Sequence, residues 1–133
     1  METEPGRREG DGPGYQGLIA WQRAMDLVEA VYVTTRRWPR EEMYGLTQQA
    51  RRAATSIPSN IAEGHGRSGT KEYAHHVSVA YGSLSELETQ ILIGERLGYH
   101  PEAETRNLLL RTSEVRRILR GLLKSLRAPT QPR

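Results

Sequence analysis

Apolar residues recur along most of this chain in alternating steps of four and three, the spacing that holds side chains on one face of a helix. The first series, Trp21, Met25, Val28, Tyr32 and Thr35, predicts a helix over about 18–37. Trp38-Pro39 should end it, because a residue before proline avoids the helical region. A second series, Leu46, Ala50, Ala53, Ile57 and Ile61, predicts a helix over about 42–66. The third, over about 70–97, is the most regular: Tyr73, Val77, Ala80, Leu84, Leu87, Ile91 and Gly94. Ser68 and Thr70 are its candidate caps, and Gly98 suits a left-handed C-terminal position. Pro101 suits the first turn of a fourth helix that repeats Leu108, Thr112, Val115, Leu119, Leu122 and Leu126.

Steps averaging 3.5 residues mean narrow seams packed at roughly +20°. Three short connections should make consecutive helices antiparallel. No window alternates with period two, so no strand is expected. The prediction is an all-α, up-down-up-down four-helix bundle over 18–127. Residues 1–17 are rich in Gly, Pro and charge, with Tyr15 their only large apolar side chain, and should be disordered, as should the tail 128–133.

Composition narrows the setting. The 133 residues make one domain with no cysteine, which excludes disulfides and thiolate metal sites and fits a reducing compartment. The polar start and the lack of an apolar run near the ~20 residues of a membrane span predict a cytoplasmic protein with no membrane association. Charge is uneven. Residues 1–17 carry a net −2, residues 18–100 cancel at nine of each sign, and residues 101–133 carry a net +5. Seventeen of the nineteen cations are Arg, a residue suited to bidentate contacts with phosphate or carboxylate, although biased base composition gives the same preference.

One stretch breaks the helix rules. Pro58, within Ser56-Ile57-Pro58-Ser59-Asn60-Ile61-Ala62-Glu63-Gly64, cannot donate to the carbonyl of Ala54 and should kink the second helix. Beside its apolar seam runs a polar stripe, Arg52, Ser56, Asn60, Glu63 and Arg67, and the third helix carries a matching one in Glu72, His76, Ser83, Glu86 and Gln90. Folding these helices into a hairpin about Gly66 would set Glu63 near Glu72, and Arg52 near Ser83 and Glu86. Two readings fit: a pair of solvated faces, or a buried polar network that fixes bundle register or a subunit interface.

The run from Tyr44 to Gly64 (Tyr-Gly-Leu-Thr-Gln-Gln-Ala-Arg-Arg-Ala-Ala-Thr-Ser-Ile-Pro-Ser-Asn-Ile-Ala-Glu-Gly) and the run from Tyr81 to Gln90 (Tyr-Gly-Ser-Leu-Ser-Glu-Leu-Glu-Thr-Gln) resemble the four-helix-bundle family named for proteins encoded in intervening sequences of 23S ribosomal RNA genes. The accessory proteins of diversity-generating retroelements belong to the same group. The resemblance covers about 18–127. It implies an up-down bundle that associates into a homopentameric ring and, for the retroelement branch, a basic nucleic-acid-binding surface and a reverse-transcriptase partner. It marks Arg52, Ser56, Asn60, Glu63, Gly64, Arg67, Glu72, Ser83 and Glu86, and it supplies no enzymatic activity. The chain departs from the pattern at His76, where the family has an aromatic or large apolar residue, and in lacking Phe altogether.

Catalytic chemistry finds little support. A di-iron bundle needs two Glu-x-x-His pairs, and only Glu72 and His75 make one, so neither metal nor cofactor is expected. No serine sits in a Gly-x-Ser-x-Gly elbow. The run Gly64-His65-Gly66-Arg67-Ser68-Gly69 follows no strand and lacks a Lys-Ser/Thr ending, so it reads as a turn between helices and not as a phosphate loop. The fourth helix is different. Opposite its seam lie Arg117, Arg120, Lys124 and Arg127, extended by Arg106 and bordered by Arg116, with only Glu114 near enough to neutralise part of the stripe. Either this is a solvated face whose cations complement the helix C-terminus, or it is a surface for RNA or DNA. No aromatics interleave it, which favours backbone contact over base stacking. The leading expectation is a non-enzymatic, self-associating nucleic-acid-binding or scaffold protein. The alternative is a structural adaptor whose basic face meets an acidic partner protein.

Overall fold

The computed structural model describes residues 14–67 and 69–129. Among them are four α-helices and no strand: α1 (Ile19–Thr35), α2 (Leu46–His65), α3 (Thr70–Arg96) and α4 (Glu102–Arg127), with 3-10 turns at Gly14–Gly17 and Arg40–Glu42. Each helix packs on two others, α1 on α2 and α4, and α3 on α2 and α4, while the diagonal pairs stay apart. Neighbours run in opposite directions. Thus Ser56, Asn60 and Gly64 of α2 meet Ser83, His76 and Tyr73 of α3, in descending order. Among the described residues no helix is long and apolar enough to cross a membrane.

Three of the four seams lie where the spacing put them. Ile57 and Ile61 of α2, Val77, Leu84, Leu87 and Ile91 of α3, and Leu108, Val115 and Leu119 of α4 are fully buried. In α1 the helix is turned by one residue from the expected register. Ala20, Ala24, Leu27 and Val31 face the core, whereas Trp21, Val28 and Tyr32 are half-buried and Met25 is exposed. Both series have the same four-three spacing, so periodicity could not choose between them. Packing does: alanines let α1 sit close to its neighbours, and the larger series is left on the flank.

The helix ends differ from expectation in informative ways. The 3-10 turn at Arg40–Glu42 delays α2 until Leu46, whose N–H donates to the Glu42 carboxylate (3.0 Å). That bond, with another from the Tyr99 hydroxyl (2.7 Å), holds Glu42 below the usual carboxylate range. Thr70 begins α3 instead of capping it, Gly69 taking the cap position without a side-chain bond; Ser68 lies outside the described residues. Gly98 does adopt the left-handed region (φ +78°), and the bonds Tyr99 N–H to Gly94 and Gly98 N–H to Glu95 close α3 in a Schellman motif. Pro101 occupies the cap position before α4. Helix α2 continues through a buried Pro58. The expectation of disorder over 1–17 is corrected for its last four residues, where Tyr15 packs edge-on to Trp21 and Gln22 Nε2 donates to the carbonyl of Gln16. Residues 1–13 and 130–133 lie outside the described residues.

Trp38 does more than end a helix. Its buried indole lies against Gly94, where a Cβ would stand 2.5 Å from the ring. The ring stacks on His100, and its Nε1 donates to His100 Nδ1 (3.1 Å). An indole nitrogen only donates, so Nδ1 is unprotonated, and Nε2 carries the proton that goes to Thr105 Oγ1 (2.9 Å). Burial pushes the His100 pKa down, outweighing the pull of Glu104 and Glu95 upward.

A folded-state pKa below the ordinary 6.5 means that the unfolded chain takes up a proton first as pH falls. The stability His100 contributes is therefore complete above that value and is lost as pH drops towards the folded pKa. Melting temperature should fall between pH 7 and 5, and the gap between wild type and His100→Gln should narrow over the same range. A gap independent of pH would show that the imidazole is not held neutral.

Candidate nucleic-acid interface

The basic residues of α4 do not form one free stripe. Their face leans towards α3, and several of the side chains bridge to it. Arg116 is the most committed. It pairs with Glu88 at 2.7 Å, with side chains only 20% and 27% exposed, and its guanidinium lies over the Tyr81 ring at 5.0 Å. Glu88 also accepts from Thr112 Oγ1 (2.6 Å). Arg120 donates to the Tyr81 hydroxyl (3.0 Å), and this bond, together with the nearby Arg116 guanidinium, lowers the Tyr81 pKa. Arg127 donates to Ser78 Oγ (3.0 Å), and Arg106 pairs with Glu102 one turn back (3.2 Å). Arg117 and Lys124 are exposed, and their side chains have no partner among the described residues.

The expectation that Glu114 tempers the stripe is corrected. Glu114 faces α1 and pairs with Arg23 (3.6 Å), while Glu88 and Glu102 supply the neutralising charge. The α4 spacing could not reveal Glu88, which belongs to α3. Nor could it reveal that Lys71 and His75 reach the same edge. They line a cleft with Ser78 and Arg127, and a second cleft is lined by Ser113, Arg116, Arg117 and Arg120. Neither cleft has an acidic lining residue. The edge is therefore two basic notches separated by the Tyr81–Arg120 contact. It spans Ser113 to Arg127, roughly 21 Å at the helical rise.

The polar stripes of α2 and α3 also divide. Ser56 and Ser83 share a hydrogen bond (2.9 Å), Asn60 Nδ2 donates to Ser56 O (2.9 Å) and Oγ (3.1 Å), and His76 Nδ1 meets Asn60 Oδ1 (3.1 Å). This part is a partly buried network across the helix pair, and the departure at His76 is a member of it. The rest is solvated. Glu63 and Arg67 pair with each other at 2.8 Å, about half exposed. Glu86 reaches only Gln90, at 3.5 Å. Arg52 and Glu72 are exposed, and among the described residues their side chains have no hydrogen-bond or ionic partner. The expected approaches of Glu63 to Glu72 and of Arg52 to Glu86 form no bond.

Gly64 explains itself once α3 is in place. A Cβ there would lie 2.7 Å from His76 Cβ and 3.1 Å from the Tyr73 ring, so only glycine permits this crossing. The family resemblance marks the residue; the tertiary contact gives the reason.

The fold agrees with comparisons to known proteins. The family model of the 23S rRNA-intervening sequence protein matches residues 16–121. No curated protein matches the sequence. Among solved structures, the fold is similar to that of a protein of unknown function from the S23 ribosomal protein family of Bacteroides thetaiotaomicron. The TM-score is 0.72 at 17% identity, over 80% of this chain and 99% of that one. At that identity the likeness is one of fold.

The divided stripe makes a clear prediction. Asn60→Ala strips three hydrogen bonds from a partly buried network and should cost about 1–3 kcal/mol. Glu63→Ala breaks one exposed pair and should cost no more than about 0.5 kcal/mol. Denaturant titrations measure both. Equal and small effects would mean the whole stripe is solvated.

Proposed function

The chain belongs to the family of 23S rRNA-intervening sequence proteins, and we propose that it works without catalysis, as a self-associating protein that holds a nucleic-acid backbone along its α3–α4 edge. The observation that carries this reading is the pair of basic notches with no acidic lining residue. Their span corresponds to about six 3.4 Å steps of a duplex strand. Tyr81, between the notches, has a ring covered by Arg116 and a hydroxyl engaged by Arg120, so it offers no free stacking surface. Recognition would then rest on phosphates and be weakly sequence-selective.

Self-association rests on the second apolar series of α1. Trp21, Met25 and Val28 repeat at coiled-coil spacing on the flank of α1, Met25 exposed and the other two half-buried, while Tyr32, the next in the series, is covered by Arg51 of α2. A helix of another copy is the natural occupant, and the pentamer implied by the family resemblance would arise if that contact is heterologous and closes on itself. In the retroelement branch the further partner would be a reverse transcriptase, and a gene for one beside this protein's gene would support that branch.

Arg117 and Lys124 separate binding from folding, since their exposed side chains make no hydrogen bond or ion pair among the described residues. The Arg117→Gln/Lys124→Gln variant should melt like wild type but bind a mixed-sequence RNA less tightly. Its plot of log affinity against log salt should flatten by roughly 0.7 to 0.9 for each phosphate it no longer neutralises. Identical slopes would leave the edge a solvated face and favour an acidic protein partner.

Light scattering tests the assembly. Wild type at micromolar concentration should scatter as a multiple of 15.0 kDa, five copies for the pentamer, and Met25→Glu should shift it towards the single chain. A wild-type monomer would overturn the proposal.

A further inference from the structure

Helices α1 and α2 hold a further cationic cleft, away from the α3–α4 edge and centred on a residue that spacing did not mark. Its centre is Arg51, which is half-buried and held by two contacts. The guanidinium lies over the Tyr32 ring, 4.4 Å from its centroid. Its Nε donates to Thr35 Oγ1 (2.9 Å). The Thr35 hydroxyl is itself anchored by donating to the carbonyl of Val31 (2.8 Å). An arginine has five N–H donors, and only one is used here. Among the described residues no carboxylate comes within ion-pair distance of Arg51.

The cleft, about 180 Å³, is lined by Arg51, Arg52, Thr47, Gln48 and Thr55, together with Tyr32 and Met43. No acid lines it. Holding a guanidinium partly out of water without a counter-charge is unfavourable, and a second arginine beside it adds repulsion. An anion relieves both. The volume is below the roughly 300–1,000 Å³ of pockets that enclose a whole small molecule, so the cleft fits one charged group. Two arginines, the Thr47 hydroxyl and the Gln48 amide gather more donors than a carboxylate's two oxygens can accept, the Thr55 hydroxyl being already donated to the carbonyl of Arg52. A phosphate group offers more oxygens and a charge of about −1.5 to −2. The first turn of α2, where Thr47 and Gln48 stand, adds the positive end of the helix dipole.

We infer that this cleft is a binding site for a single phosphate group, independent of the α4 edge. Arg51 is the positioned donor, and Arg52, exposed at the rim, is the second. The site does not depend on nucleic-acid binding at α4.

The test is a titration of the full chain with sodium phosphate at constant ionic strength, followed by amide and Arg51 Nε–H NMR shifts. Signals of Thr47, Gln48, Arg51 and Arg52 should move and saturate. Arg51→Lys should weaken the binding roughly tenfold or more, since lysine lacks the planar fork. Arg52→Gln, at an exposed position that leaves the fold alone, should weaken it as well. Arg117→Gln/Lys124→Gln should leave it unchanged, which separates this site from α4. Shifts that match those caused by sodium chloride, or that persist in Arg52→Gln and Arg51→Lys alike, would overturn the inference. So would equal saturation by sodium acetate, which would make this a carboxylate site.

Discussion

The absence of a side chain at Gly64 lets α3 close on α2 until His76 Cβ would be 2.7 Å from any added Cβ. That approach sets the register of the hairpin. With it, Ser56 comes opposite Ser83 and Asn60 opposite His76, and the hydrogen bonds of that pair can form. An alanine at 64 would force the helices apart, at an overpacking cost of about 1–3 kcal/mol, and would stretch the polar contacts one turn away. Small residues and polar pairs therefore act together: one permits the distance, the other selects the register. At the opposite end of α3, Gly94 repeats the device. There the space is filled by Trp38, which ties the loop after α1 to the start of α4 through His100 and Thr105.

This second anchor shows how α1, the helix whose register differs from the spacing, is held. Its last turn is fastened by Thr34 to Glu104, by Arg37 to the same carboxylate, and by Thr35 to Arg51. Partial burial would raise the pKa of Glu104, but the bonds from Arg37 and Thr34 outweigh it and the pKa is lowered. With the end of α1 pinned, its alanine-rich face must turn inward. The aromatic and methionine face is then left outside, which is why a helix that serves the core also offers an apolar surface.

Arginine has separate duties in the two halves of the molecule. On α4, Arg116 is largely consumed by Glu88 and Tyr81, and Arg120 and Arg127 brace the helix against α3, leaving Arg117 and Lys124 unengaged among the described residues. Single exposed pairs of this kind contribute little to stability, so the bracing mainly orients side chains that still carry a positive field. On α2 the arrangement is reversed. Arg51 is oriented by an aromatic ring and a hydroxyl, neither of which cancels its charge.

Four helices, their order, and the inward faces of α2, α3 and α4 were legible in sequence, because in each of those three helices one 3.5-residue apolar series stands out as the face to bury. Ser56, Asn60 and Ser83 were legible as a group for a related reason: polar residues bordering a seam must either pair or face water. The register of α1 was not, since Trp21-Met25-Val28-Tyr32 and Ala20-Ala24-Leu27-Val31 satisfy the same period and only the space between neighbouring helices decides. Which cations stay free was equally hidden. Glu88, Tyr81 and Ser78 lie on another helix, 28 to 49 residues away in the chain from the arginines they engage. The Arg51 cleft joins Tyr32 and Thr35 to α2 across the turn between helices. Helical spacing orders residues within one element, whereas these sites are made by contacts between two.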